Sequence, residues 1–120
     1  FMERLKADGA LKGNAPFEKR VQWVFWELWH HEGRRARHGA SMMGPDYTHW
    51  HGMYEVSKHY YTEFLPAVIE AAGDVSEELR KKYEAEIAQL LTREEHRWIK
   101  GLSPEEAEKL RRMYQERYGR

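Results

Sequence analysis

Apolar residues recur along this chain at three- and four-residue steps, and no segment alternates as a half-buried strand would. The pattern predicts an all-α protein. Residues 1–13 read as a short, weakly amphipathic start ending at Lys12-Gly13-Asn14. Asn14 is placed to cap a helix whose first turn tolerates Pro16, because the N–H that proline lacks has no partner there. Phe17, Val21, Val24, Phe25, Leu28 and Trp29 then form one broad apolar stripe, on a helix expected to reach Met43. Gly33 and Gly39 weaken this helix without ending it.

Gly44-Pro45-Asp46 is a break: glycine suits a helix C-terminus, proline stops propagation, and Asp46 can cap the next helix. That second helix is expected from Tyr47 to Ala72, burying Trp50, Tyr54, Tyr61, Phe64, Leu65, Val68 and Ile69. Pro66 should kink it about one turn earlier. Asp74 and Glu77 have capping-box spacing for a third helix, with Leu79, Tyr83, Ile87, Leu90 and Leu91 as its stripe. Thr92 and Glu95 restart or continue it toward Trp98. Ser103-Pro104-Glu105-Glu106 then starts a last helix that ends near Tyr118 and turns Ala107, Leu110, Met113 and Tyr114 inward. About four helices with short connections predict an up-and-down bundle, the second helix kinked at Pro66, in a single domain spanning 1–120.

A chain of 120 residues has room for one modest core. Twenty Lys+Arg balance twenty Asp+Glu, which argues against a basic nucleic-acid binder. No apolar run approaches the ~20 residues of a membrane span. The absence of cysteine excludes a disulfide framework, a thiolate zinc site and a cysteine nucleophile within these residues. The mixed, charged start FMERLKADGA does not read as a signal peptide. Phe1 before Met2 is expected of a processed product or a fragment of something longer.

Candidate chemistry concentrates in the first half. Four of the five tryptophans lie between positions 23 and 50, and six of the seven histidines fall within a thirty-residue window. His31 and His38 are seven apart on the first long helix, nearly two turns, so they share a face; His30 is about 100° away from His31. His49 and His51 flank Trp50, and His59 lies two turns beyond His51. Imidazoles so placed suit metal or haem-iron ligation, one ring nitrogen binding while the other is oriented. Glu27 and His30 have the Glu-x-x-His spacing of di-metal bundles, with no second copy, since Glu55 and His59 are four apart. Arg34, Arg35 and Arg37 complement the helix dipole near its C-terminus, and a guanidinium there also suits a haem propionate or another anion. Tyr47, on a proline-fixed turn, either packs or presents its phenol to another surface. Trp23, Trp26 and Trp29 read as core or interface. No serine–histidine–acid triad, phosphate loop or paired carboxylate site is suggested.

The stretch from His31 to Glu55, above all the run ARHGASMMGPDYTHWHGMYE, resembles the C-terminal helical region of octahaem hydroxylamine oxidoreductase-like cytochromes c. That family includes the hydrazine-oxidising enzymes. The resemblance covers residues 16–72, and the later helices only by type and order. More distantly, Arg37-His38-Gly39 before a Met/His-rich turn is similar to the late helix of pentahaem nitrite reductases.

The resemblance implies an enzyme that oxidises hydroxylamine or hydrazine at a special haem and passes electrons through bis-histidine c-type haems to a redox partner cytochrome. It implies a homotrimer in which this helical region packs between subunits, in the periplasm or an equivalent extracytoplasmic compartment. Tyr47 matches the tyrosine that is cross-linked to the active-site haem of a neighbouring subunit, a covalent bond that distorts the macrocycle and tunes the iron. His38, in its Arg-His-Gly context, is the first candidate for a distal haem ligand; His31, His51 and His49 come next, with Arg37 beside them. The chain has no Cys-x-x-Cys-His motif. Haem c would therefore be attached by cysteines outside it, in a haem-bearing domain of a longer chain. Two other readings stay open: a metal-binding, di-iron-like four-helix bundle using Glu27, His30 or His31, Glu55 and His59, and a cofactor-free helical interaction module.

Overall fold

The computed structural model describes residues 1–119, the side chains of Arg97 and Trp98 excepted. The protein is all-helical, with 78% of the chain in helix. A short α1, Met2–Ala7, precedes two long helices. The first of these, α2, spans 20–41 and is built from Arg20–Trp26, a π-helical turn Glu27–Glu32, and Gly33–Ser41. The second, α3, spans 45–73 and carries two π-helical turns, His49–Tyr54 and Tyr60–Phe64. Helix α4, Glu77–Leu90, a 3-10 turn Glu94–Lys100 and α5, Pro104–Tyr118, complete the order. Contacts divide the chain into two units, Phe1–Ala85 and Glu86–Arg120. No helix of the described residues is long and apolar enough to cross a membrane.

Helix boundaries depend on local hydrogen bonding more than on propensity. The expected cap at Asn14 does not form. The Glu18 carboxylate instead accepts from the backbone N–H of Lys12, Asn14 and Ala15, which holds 12–18 as a turn. Helix α2 therefore begins at Arg20, with the Lys19 N–H donating to the Gln22 side chain. Asp74 does not cap α4 either. It pairs with Lys19 at 2.7 Å, and the Ser76 hydroxyl accepts from the Leu79 N–H. The capping box at Ser103 forms as the sequence predicts, each partner bonding the other's N–H. The expected continuation toward Trp98 takes the form of the 3-10 turn, and the Trp98 side chain lies outside the described residues.

Helices α2 and α3 form an antiparallel hairpin. Arg20–Trp26 packs on Leu65–Gly73, Glu27–Glu32 on Glu55–His59, and Gly33–Ser41 on Pro45–Thr48 and His49–Tyr54. The turn between them needs a left-handed residue, supplied by Met43 at φ 57°, and the Gly44 N–H returns to the Gly39 carbonyl at 2.7 Å. Two glycines set how close the helices come. A Cβ on Gly52 would meet Ala36 Cα at 2.5 Å, and one on Gly39 would meet Thr48 N at 2.7 Å. The wide end of the hairpin holds the core, where Val21, Val24, Leu28, Phe64, Leu65, Val68 and Ala72 are buried.

The N-terminal segment contributes more than its weak periodicity predicts. Leu5, Ala10 and Leu11 are buried, and Tyr83 of α4 is fully covered. The Tyr83 hydroxyl donates to the Asp8 carboxylate at 2.9 Å, and Lys82 reaches the same oxygen at 3.2 Å. Several residues expected inside are outside. Trp50 and Tyr54 are exposed because Gly52 faces α2, and residues two positions either side of it lie about 200° around the helix, pointing away from that neighbour. Leu110, Met113 and Tyr114 of α5 are exposed as well, and Ala107 is half-buried.

This packing makes two points testable. Gly52→Ala should destabilise the protein by about 1–3 kcal/mol, since the new methyl meets backbone that cannot swing aside; a chemical-denaturation midpoint unchanged from the parent would refute the close approach. The second concerns Asp8, whose carboxyl is held below its ordinary range chiefly by the Tyr83 hydroxyl, then by Lys82. Its contribution is present above the unfolded carboxyl value of about 4 and is lost as pH falls through the lower folded value. The stability gap between wild type and Asp8→Asn should therefore narrow as pH is taken from neutral into that acid range.

Candidate functional site

The narrow end of the hairpin carries most of the histidines. Its α2 side presents His30, His31, Arg34, Arg35 and His38 to a cleft of about 590 Å³, closed on the other side by Met42 and Tyr47. Helical spacing explains the α2 side: Arg34 lies four residues after His30 and four before His38, which stacks all three along one face. Tyr47 reaches the cleft because Pro45 starts α3 immediately after the turn, and Gly39 lets Tyr47 and Thr48 lie against α2. The phenol is not buried; Tyr47 is 58% exposed.

The structure brings some of the sequence-predicted residues together and separates others. His31, His38 and Tyr47 share the cleft. The His51 ring lies 5.4 Å from that of Tyr47, and its Nδ1 is 3.5 Å from the Glu55 carboxylate. His49 is exposed and donates from Nδ1 to the Pro45 carbonyl at 2.9 Å, and its Nε2 has no partner among the described residues. Arg37 is exposed and does not line the cleft; Arg34 and Arg35 do. Those two, with His30 and Met42, are lining residues that the family resemblance does not single out. The four-residue spacing around His38 is the signal in the sequence that points to His30 and Arg34.

Charge in the cleft is one-sided. Among the described residues, no carboxylate lines it. Arg35 is paired with Glu55 of α3 at 3.1 Å. Arg34 donates to His30 Nε2 at 3.0 Å, and a guanidinium can only donate, so the ring proton of His30 sits on Nδ1. That Nδ1 is buried without a partner among the described residues. Burial, then the positive charge of Arg34 and His31, holds the His30 imidazole below its usual range. The ring is stacked on Trp26 at 4.3 Å, and Trp29 meets it edge-on at 5.3 Å.

The donor set fits haem iron, which takes imidazole nitrogen as an axial ligand. The rings of His31 and His38 hydrogen-bond to nothing among the described residues, and His49 has the oriented Nδ1 that metal-bound imidazoles commonly show. A di-metal centre fits less well. Glu27 is exposed, and His59 pairs with Glu32, not with Glu27. Among the described residues, no three His, Asp or Glu side chains gather in a metal-holding arrangement.

The Glu32–His59 pair lies deeper between the helices. Glu32 is only 4% exposed; one carboxylate oxygen accepts from His59 Nδ1 at 2.9 Å and the other is buried without a partner. A buried charge that loses its partner is costly, whereas an apolar pair of similar volume is not. His59→Leu should therefore destabilise by about 3–5 kcal/mol, and adding Glu32→Leu should recover much of that loss. Equal midpoints for the single and double variants would show that the pair does not act as a unit.

Comparison with known proteins adds no relative: no family model, no curated protein and no solved structure matches this chain.

Proposed function

We propose that this chain is the helical, trimer-forming region of a multihaem oxidoreductase that oxidises hydroxylamine or hydrazine. The observation that carries the reading is that His31, His38 and Tyr47, drawn from two helices, open together into one outward-facing cleft with no carboxylate. Had these side chains turned inward, a packing role would describe them better. In this reading His38 and His31 offer ring nitrogens to iron, His51 and His49 stand in reserve on α3, and Arg37 faces solvent beside them. Tyr47 is the residue that bonds to the active-site haem of a neighbouring subunit. When bound, haem c supplies the iron that accepts the substrate's electrons and passes them toward a partner cytochrome.

The surroundings support the same reading. Trp23, Trp29, Trp50, Met53 and Tyr54 are all at least half exposed, an apolar surface of the kind that subunit contacts cover. The proposal includes a homotrimer, a haem-bearing domain of the same chain and an extracytoplasmic location. It also includes a single domain, the up-and-down order of the helices and the bend of α3 at Pro66. The π-helical turn Tyr60–Phe64, which ends two residues before that proline, is a known way for a helix to bend. The exposed aromatics equally favour a second reading, a cofactor-free module that docks a partner.

The two readings separate on Tyr47. When the chain is produced with its haem-bearing part, Tyr47→Phe should abolish the covalent haem modification and shift the absorption spectrum. Unchanged haem spectra in that variant would remove Tyr47 from the site, and no haem in the wild-type protein would leave the docking module.

A further inference from the structure

We propose that Arg34, held in position by His30, forms an anion subsite that takes a planar carboxylate in the cleft. The inference rests on reading the cleft as a binding surface and adds what it binds. Among the described residues, two guanidiniums line the cleft and no acidic side chain does. They are not equivalent. Arg35 is neutralised by Glu55 at 3.1 Å, whereas the partner of Arg34 among the described residues is the uncharged His30 nitrogen. The charge of Arg34 is therefore uncompensated.

His30 makes Arg34 a better anion ligand than a free surface arginine. Its ring is fixed by stacking on Trp26, and its Nε2 accepts from Nη1 of Arg34 at 3.0 Å. One N–H is used, and the rest of the guanidinium fork stays available. That fork matches the two oxygens of a carboxylate bidentately, and holding it in advance lowers the entropy lost on binding. His30 is thus a positioning residue. The carboxylate has two possible sources, the propionate of a porphyrin or a small free acid, and the chemistry of recognition is the same.

The test uses the 120-residue chain with formate as the probe, monitored by NMR of the arginine Nε–H and imidazole signals. Formate should bind saturably and move the Arg34 signal. Arg34→Gln should weaken binding about tenfold, and Arg34→Lys should weaken it less, because an ammonium keeps the charge without the fork. His30→Phe, which keeps the stacking and removes the acceptor, should weaken binding, and His30→Gln should restore most of it. Arg93→Gln, at an exposed arginine that does not line the cleft, should change nothing.

The proposal is overturned by an absence of saturable binding in the folded wild type, by binding undiminished in Arg34→Gln, or by an equal loss in Arg93→Gln. Haemin and its dimethyl ester identify the source. Weaker binding of haemin alone in Arg34→Gln assigns the site to a porphyrin carboxylate, and loss confined to formate assigns it to a free acid. Failure here leaves the Tyr47 assay standing, and failure of the Tyr47 assay leaves formate binding intact.

Discussion

The close approach of two backbones at Gly39 and Gly52 is the constraint on which the rest of the hairpin depends. With no Cβ at either position, Ala36 and Thr48 lie where side chains would otherwise hold the helices apart. One consequence is geometric: Tyr47, only four residues after Met43, lines the same cleft as His38. The other is an inversion of the usual rule. With Gly52 turned toward α2, Trp50 at 62% exposure and Tyr54, each about 200° away around the helix, face outward. Glycine packing thus produces both the cleft and its apolar surroundings.

Polar contacts then fix the register that the glycines permit. Glu32 and His59 meet deep between the helices, and Arg35 reaches Glu55 nearer the cleft. A one-residue slip would part both pairs and leave the Glu32 carboxylate buried and unpartnered. The π-helical turn Glu27–Glu32 ends at Glu32, and Tyr60–Phe64 starts directly after His59, so each partner adjoins a widened turn. Widened turns cost helix hydrogen-bond geometry, and they recur where a side chain must be aimed.

Much of this is legible in the sequence, for identifiable reasons. The long helices, the Gly44-Pro45 break and the Ser103 capping box each depend on neighbours within four residues, and the structure contains all three. The stripes are only partly buried, with Phe25 and Trp29 of α2 exposed. The fate of the Asn14 cap is not legible, because Glu18 collects the free N–H groups of residues 12–15 in a turn that leaves no periodic trace. Burial of Leu5 is hidden because six residues of helix are too few to show a stripe, and that of Leu11 because it lies beyond the helix in irregular chain. In the site, the shared face of His31 and His38 comes from spacing alone. Arg34 follows from the four-residue spacing around His38, whereas the position of Tyr47 across from them depends on the close approach at Gly39, which periodicity does not show.

The central claim is that this hairpin presents a phenol and imidazoles outward, to a haem it does not itself attach. The most direct measurement is the mass of the proteolytic peptide containing Tyr47, taken from the active protein in its native source. The account predicts that this peptide carries a covalently joined porphyrin. Recovery of the Tyr47 peptide at its unmodified mass, from protein that still oxidises hydroxylamine or hydrazine, would contradict it.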